Sequence, residues 1–280
     1  MSKNYNEIIS IVRGDIDRLE KSLVENIVFP TNDLNELFLA PAKRIRPILA
    51  FLFLKAIGKE ITNEQLELQV AVELAHTASL IHDDIIDMAQ KRRGIVTLNQ
   101  QYNDKIAVLS GDYILSIALK KLVSTNNNQI LQDFLSTFSQ MASGEISQYF
   151  AKNKIPTMEE YIKKTVQKTA GLFVVSLKSS AILANIDYKN IEEFALNFGI
   201  AFQIKNDLEN VLNLGDDIKN GIYTAPVIFS GSTKITEKAI NKTKLLINEY
   251  INNAEKIVDK LPQNIYSQAL RNILELYRYD

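Results

Sequence analysis

His76-Thr77-Ala78-Ser79-Leu80-Ile81-His82-Asp83-Asp84-Ile85-Ile86-Asp87, followed by Lys91-Arg92-Arg93-Gly94, is the most informative run in this chain. Read as a helix, the four-residue step sets the Asp83 and Asp87 carboxylates on one face, about 5–6 Å apart at Cβ, within reach of a shared hard cation. Mg²⁺ suits such a pair because it takes oxygen ligands and leaves positions open for water or phosphate. A charged helical stripe is usually just a solvated face. Here Leu80, Ile81, Ile85 and Ile86 surround the acids, so the segment is mostly apolar, and buried carboxylates call for a compensating cation. Acids beside a basic run point to diphosphate chemistry.

Upstream along the same stripe, His76, Ser79, Asp83 and Asp87 follow at spacings of three, four and four, so His76 faces whatever the acids face. Ala78 and Ser79 lie about 6–8 Å, and Ala75 about 12 Å, up the helix axis from Asp83. All three are small. A second basic cluster, Lys43-Arg44-Ile45-Arg46-Pro47, precedes an apolar helix, and Lys43 and Arg46 are spaced to share one anion near a helix N-terminus.

The chain of 280 residues has 46% hydrophobic residues, enough for a sizeable core. Its 32 basic and 33 acidic residues leave a net charge of −1, giving no general attraction to nucleic acid or an anionic membrane. Cysteine is absent, which excludes disulfides and thiolate metal sites and agrees with a reducing compartment. The N-terminal residues show no apolar stretch of signal-peptide or transmembrane type, so a cytoplasmic location without membrane insertion is expected.

Only 10 Gly and 6 Pro interrupt long segments with apolar residues every three or four positions, which predicts an all-α fold. Thr62 to Gln65 and Thr157 to Glu160 read as capping boxes. Helices are expected over 4–28, 33–40, 45–57, 63–87, 104–124, 128–151, 158–184, 188–213, 223–230, 234–259 and 264–277. With neither a long linker nor a solenoid repeat, residues 1–280 read as a single domain.

The run from His76 to Gly94 resembles the first aspartate-rich region of the trans-polyprenyl diphosphate synthases. Further landmarks of that family follow in order: Lys43-Arg44-Ile45-Arg46-Pro47 before it, then Gly111-Asp112-Tyr113, Gly144-Glu145 with Gln148, Lys168-Thr169-Ala170, and Phe202-Gln203. The resemblance implies a bundle of ten or more antiparallel helices around a deep central cavity, a homodimer, and Mg²⁺ as cofactor. It implies isopentenyl diphosphate and an allylic diphosphate such as farnesyl diphosphate as substrates. By the same resemblance, Asp83, Asp84 and Asp87 hold metal, Arg92, Lys168 and Thr169 contact the allylic diphosphate, and Lys43, Arg46, His76 and Arg93 hold the isopentenyl diphosphate. Gln203 opens the second acidic region, where Asn206 and Asp207 are the metal-ligand candidates.

That second region departs from the family pattern. Asn206-Asp207-Leu208-Glu209-Asn210 replaces the first and third aspartates by asparagines, which bring oxygen but no charge. Downstream, Ile222 stands where the family has a lysine; Glu209, Asp207, Lys205 and Lys219 are candidates to compensate. Short-chain members place aromatic residues where this chain has Ala78 and Ser79, so a long product, near octaprenyl, is expected. The tunnel floor is expected on the helix after Asp112, at Ile114, Leu115, Ile117 or Ala118. Two other readings compete: a non-catalytic prenyl-diphosphate-binding subunit, and a class I terpene cyclase, against which Lys43, Arg46 and His76 would be surplus.

Overall fold

A computed structural model describes residues 3–27, 42–92, 94–213 and 215–279. The expected helix at 33–40 and the candidate Arg93 lie outside them. Among the described residues the fold is all-α apart from one small hairpin. The helices are α1 (Lys3–Ser10), α2 (Arg13–Asn26), α3 (Ile45–Ala56), α4 (Asn63–Ile86), α5 (Leu98–Gln101), α6 (Asp104–Ser124), α7 (Asn128–Phe150) and α8 (Met158–Thr165). A π-helical turn (Val166–Ala170) leads into α9 (Gly171–Leu183), followed by α10 (Lys189–Asn213), α11 (Asp216–Lys219), α12 (Ala225–Ser230), α13 (Glu237–Val258) and α14 (Ile265–Tyr277). The hairpin pairs β1 (Lys91–Arg92) with β2 (Ile95–Val96), and Gly94 between them takes a φ of 85° that side chains resist.

Both capping boxes form. Thr62 and Thr157 accept from the backbones of Gln65 and Glu160, whose side chains bond back to the cap residues. Two expected helices are interrupted. Residues 4–28 break at Val12, which leaves helical dihedrals and is buried. Residues 158–184 carry the π turn, an insertion that shifts side-chain register by one residue and that neither Gly nor Pro signals.

The core is contiguous from Tyr5 to Tyr277. α4 packs along α6, and α10 lies between α9 and α13. A chain of rings welds α9, α10 and α14 together: Phe173 to Phe198 at 5.5 Å, Phe198 to Tyr277 at 5.0 Å, and Phe202 to Tyr277 at 5.5 Å. Two glycines permit close helix approach. A Cβ at Gly111 of α6 would stand 2.3 Å from His82 Nε2 of α4, and one at Gly199 of α10 would stand 2.7 Å from Ala170 Cα in the π turn. Among the described residues, no helix is long and apolar enough to cross a membrane.

Candidate active site

A cavity of about 1260 Å³ opens between α4, α6, α7, the π turn, α9 and α10. One end is charged, with Lys43, Arg46, His76, Asp83, Arg92, Glu145 and Lys168 on its wall. Elsewhere the wall is apolar, including Ala78, Leu80, Leu115, Phe138, Met141 and Leu172. It exceeds the usual size range of small-molecule pockets and pairs an ionic mouth with an oily interior.

The stripe on α4 reaches the cavity in three of its four positions, since Asp87, exposed at the helix end, is not on the wall. His76, Ser79 and Asp83 all line the cavity. Asp87 closes the helix as its C-cap. Burial foremost pushes the Asp83 carboxyl up to about 6, with Lys168 opposing and Glu145 and Asp87 adding to the rise. A carboxylate raised by burial and by two neighbouring acids marks negative potential that a cation can neutralise.

Asp84 has a different part from the one expected. It is buried, off the cavity wall, and accepts from Arg92 Nε at 2.8 Å. Burial raises its pKa, while the Arg92 charge and hydrogen bond oppose the rise. The pair ties the hairpin to the end of α4, so Asp84 aims Arg92 rather than offering a free ligand. The next acidic contact belongs to His82, whose Nε2 lies 3.3 Å from Asp112 Oδ1 of α6.

Opposite α4, the π turn presents Lys168, whose Nζ is 2.6 Å from Glu145 Oε2 of α7. Burial lowers the Lys168 pKa, but Glu145 and then Asp83 outweigh it, so the ammonium is held above its ordinary value. Next to it a hydrogen-bonded relay crosses from the π turn to α10 and α8. Thr169 Oγ1 donates to Gln203 Oε1 at 2.7 Å, Gln203 Nε2 donates to Asp207 Oδ1 at 2.6 Å, and Tyr161 Oη donates to Asp207 Oδ2 at 2.6 Å.

This relay corrects the expectation for Asp207 as a metal ligand. Its two oxygens are both engaged, it is buried, and it does not line the cavity, whereas Asn206 does. Burial pushes its carboxyl up to about 6 despite the Tyr161 and Gln203 donors. Thr169 and Gln203, expected as substrate contacts, reach the wall but spend these polar groups holding α10 in place.

At the other rim, Arg44 adopts a left-handed φ of 51° at the start of α3. That conformation costs a non-glycine residue about 1 kcal/mol. Arg44 Nη1 donates to Glu73 Oε2 at 3.0 Å, and Tyr5 Oη donates to the Lys43 carbonyl at 2.6 Å, which together fix the loop. Arg46 is buried with its guanidinium 4.5 Å from the centre of the Phe173 ring.

Ala75 is a second correction. It is fully buried in the core and not on the cavity wall, although Glu73, His76 and Thr77 around it are, so its side of α4 faces the core. Of the expected floor residues, Leu115 lines the cavity, while Ile114 and Ala118 are packed in the core. Much of the wall comes from α7, through Phe138, Met141, Ala142, Glu145, Ile146 and Tyr149. Their spacing of three and four was readable as one helical face, but nothing local marked that face as a cavity wall. Asp217 is a further unpredicted neighbour: burial raises its pKa, and Lys164 and Lys168 oppose the rise.

An all-α bundle whose cavity joins a basic and acidic mouth to an apolar interior defines the isoprenoid synthase class. The profile of the polyprenyl synthetase family matches residues 31–266, and the chain belongs to that family of prenyltransferases. It is 30% identical to the decaprenyl-diphosphate synthase of Dictyostelium discoideum over 92% of this chain and 68% of that protein. It is 31% identical to the all-trans-nonaprenyl-diphosphate synthase (geranyl-diphosphate specific) of Rhodobacter capsulatus, over 85% of each chain. Among solved structures, a polyprenyl synthase of Caulobacter crescentus complexed with calcium and isoprenyl diphosphate superposes with a TM-score of 0.88 at 23% identity. That match covers 98% of this chain and 97% of the other.

Proposed function

We propose that this protein adds isopentenyl diphosphate to an allylic diphosphate such as farnesyl diphosphate and builds a trans-polyprenyl chain near the octaprenyl length. The observation that carries the long product is the wall beneath Asp83. Ala78 and Ser79 leave the way open from the charged mouth into the large apolar cavity. Leu115, Phe138 and Met141 are the bulky side chains against which growth would stop.

Asp83 and Asp87 would hold Mg²⁺, with Asn206 contributing an amide oxygen from the opposite wall. Among the described residues no three acidic or histidine groups form a metal site by themselves. The donor set instead fits an ion that arrives with a diphosphate and completes its shell with phosphate and water oxygens. When bound, the ion neutralises charge on the departing diphosphate.

Lys168, protonated because Glu145 and Asp83 hold it so, and Arg92, aimed by Asp84, bind the allylic diphosphate. Lys43, Arg46, His76 and Arg93 bind the second diphosphate and set its double bond toward the allylic carbon. As the allylic C–O bond breaks, the leaving diphosphate takes the electron pair. The isopentenyl π electrons form the new C–C bond, and the resulting cation loses a proton to the released diphosphate. Leu80, Leu172 and Phe202 on the wall keep water from the cation.

A homodimer in the cytoplasm is part of the proposal. Exposed Leu109, Leu135 and Phe150 on α6 and α7 supply apolar surface for a second copy, and the absence of cysteine suits a reducing compartment.

The purified protein, given Mg²⁺, farnesyl diphosphate and labelled isopentenyl diphosphate, is expected to yield products of more than twenty carbons. Ser79→Phe or Ala78→Phe should shorten them. Absence of incorporation at every Mg²⁺ concentration would favour a non-catalytic subunit, a reading that the amides at Asn206 and Asn210 keep in play. A cyclic hydrocarbon formed without isopentenyl diphosphate would favour a cyclase.

A further inference from the structure

Among the described residues, the acids that line the cavity are Glu73, Asp83 and Glu145. Glu145 pairs with Lys168 at 2.6 Å, and Glu73 Oε2 accepts from Arg44 Nη1 at 3.0 Å. Asp83, the acid assigned to metal, has no ion-pair partner among the described residues. The catalytic scheme above uses neither Glu73 nor Arg44, yet both stand at the basic end of the cavity. Arg44 lies between Lys43 and Arg46 in sequence, Glu73 is one helical turn before His76 on α4, and all five side chains line the same cavity. Lys43, Arg46 and His76 are the groups proposed to hold the isopentenyl diphosphate.

A carboxylate at that place repels the ligand that its neighbours attract. At about 6 Å in a partly desolvated wall, one unit charge changes the binding of an anion tenfold or more. Arg44 answers that charge directly. The Arg44 and Glu73 side chains are only 14% and 4% exposed, so water screens neither well. The next acid, Glu20 of α2, is 3.9 Å from Arg44 Nε and half exposed, which makes Glu73 the principal counter-ion. Arg44 keeps its left-handed φ of 51°, a conformation that persists at a non-glycine residue only where its surroundings hold it. The surroundings here are the Glu73 pair and the Tyr5 bond to the adjacent Lys43 carbonyl at 2.6 Å.

We infer that Arg44 is a positioning residue that acts through Glu73. It cancels the carboxylate beside His76, so that the charges of Lys43 and Arg46 meet the isopentenyl diphosphate unopposed. The basic run from Lys43 to Arg46 thus divides into two ligands and one shield. The inference rests on the prenyltransferase reading of the site and adds a reason why an acid is tolerated in its diphosphate-binding wall.

The test is calorimetric titration of the full chain with isopentenyl diphosphate, together with steady-state kinetics in which each substrate is varied. Arg44→Asn removes the charge with a residue type that accepts a left-handed backbone. It should weaken binding of isopentenyl diphosphate about tenfold to a hundredfold and raise its KM in step, with KM for the allylic diphosphate unchanged within about twofold. Glu73→Gln should tighten binding about twofold to tenfold. The double variant Arg44→Asn/Glu73→Gln should return to within about threefold of the parent chain, because the two charges are lost together. If Arg44→Asn fails to fold, the other two variants still decide. A weakening in Glu73→Gln overturns the inference, since the pair would then work by geometry and not by charge. A double variant that binds tenfold more weakly than the parent also overturns it, since Arg44 would then touch the diphosphate itself. If the parent chain binds no isopentenyl diphosphate and turns over no substrate, the prenyltransferase reading falls and takes the inference with it.

Discussion

The end of α4 and the middle of α10 face each other across the mouth of the cavity, and they are built on different plans. α4 ends in three aspartates within five residues, of which Asp83 lines the cavity, Asp87 caps the helix and Asp84 orients Arg92. α10 has one aspartate among two asparagines, and that aspartate is buried between Tyr161 and Gln203. One wall carries charge for ligands, while the other uses its charge to hold helices together. Metal binding is thus expected to be lopsided, with α4 the dominant contributor.

Removing the cavity-lining oxygen donor on each wall tests that asymmetry most severely. Asp83→Ala should lower kcat/KM by at least about 10³-fold, some 4 kcal/mol of transition-state stabilisation. Asn206→Ala, across the mouth, should cost only about tenfold, because a neutral amide is a weak ligand that water can replace. Initial rates at saturating and limiting Mg²⁺ would give both numbers. Equal losses at the two positions would show that the walls share the metal evenly and would break the comparison.

The α4 wall was legible in the sequence and the α10 wall was only partly so, for a physical reason. His76, Ser79 and Asp83 are arranged by local helical geometry, so spacing alone predicted their shared face. Asp207 depends on Tyr161, 46 positions away, and no spacing rule connects α8 to α10. The π turn is equally silent in sequence, yet it sets the register of Lys168 and lets Ala170 settle against Gly199. Ala75 was misplaced because axial distance from Asp83 says how far along the helix a residue lies, not which face it is on; Glu73 and His76 beside it reach the cavity while Ala75 packs into the core. Phe138 and Met141 stood on a readable helical face, but recognising it as a cavity wall required the packing of α7 against the π turn and α9.

The buried Asp207 gives a second, smaller test, which needs neither metal nor substrate. Its carboxyl is raised to about 6 by burial from an ordinary value of 3.8. A group raised in the folded state favours folding fully below its unfolded pKa and loses that contribution as pH climbs through the folded value. Between pH 4 and pH 7 this single group should therefore withdraw on the order of 2–3 kcal/mol. Asp207→Asn keeps the size and an acceptor but removes the titration. Denaturant midpoints across that range should fall less steeply for Asp207→Asn than for the parent chain. Parallel curves would mean that Asp207 is solvated and available, which would return it to the list of metal ligands and narrow the contrast between the walls.

The mildest change makes the α10 wall more like the α4 wall. Asn206 lines the cavity yet is well exposed, so Asn206→Asp adds a carboxylate where solvent screens it. In water-like surroundings two unit charges about 4 Å apart interact by only about 1 kcal/mol. The Mg²⁺ concentration for half-maximal rate should accordingly fall about fivefold, with a smaller change in kcat, if the opposite wall holds ion and diphosphate as proposed. A half-maximal Mg²⁺ concentration that does not move would place Asn206 away from the ion, leaving α4 as the whole protein contribution to metal binding.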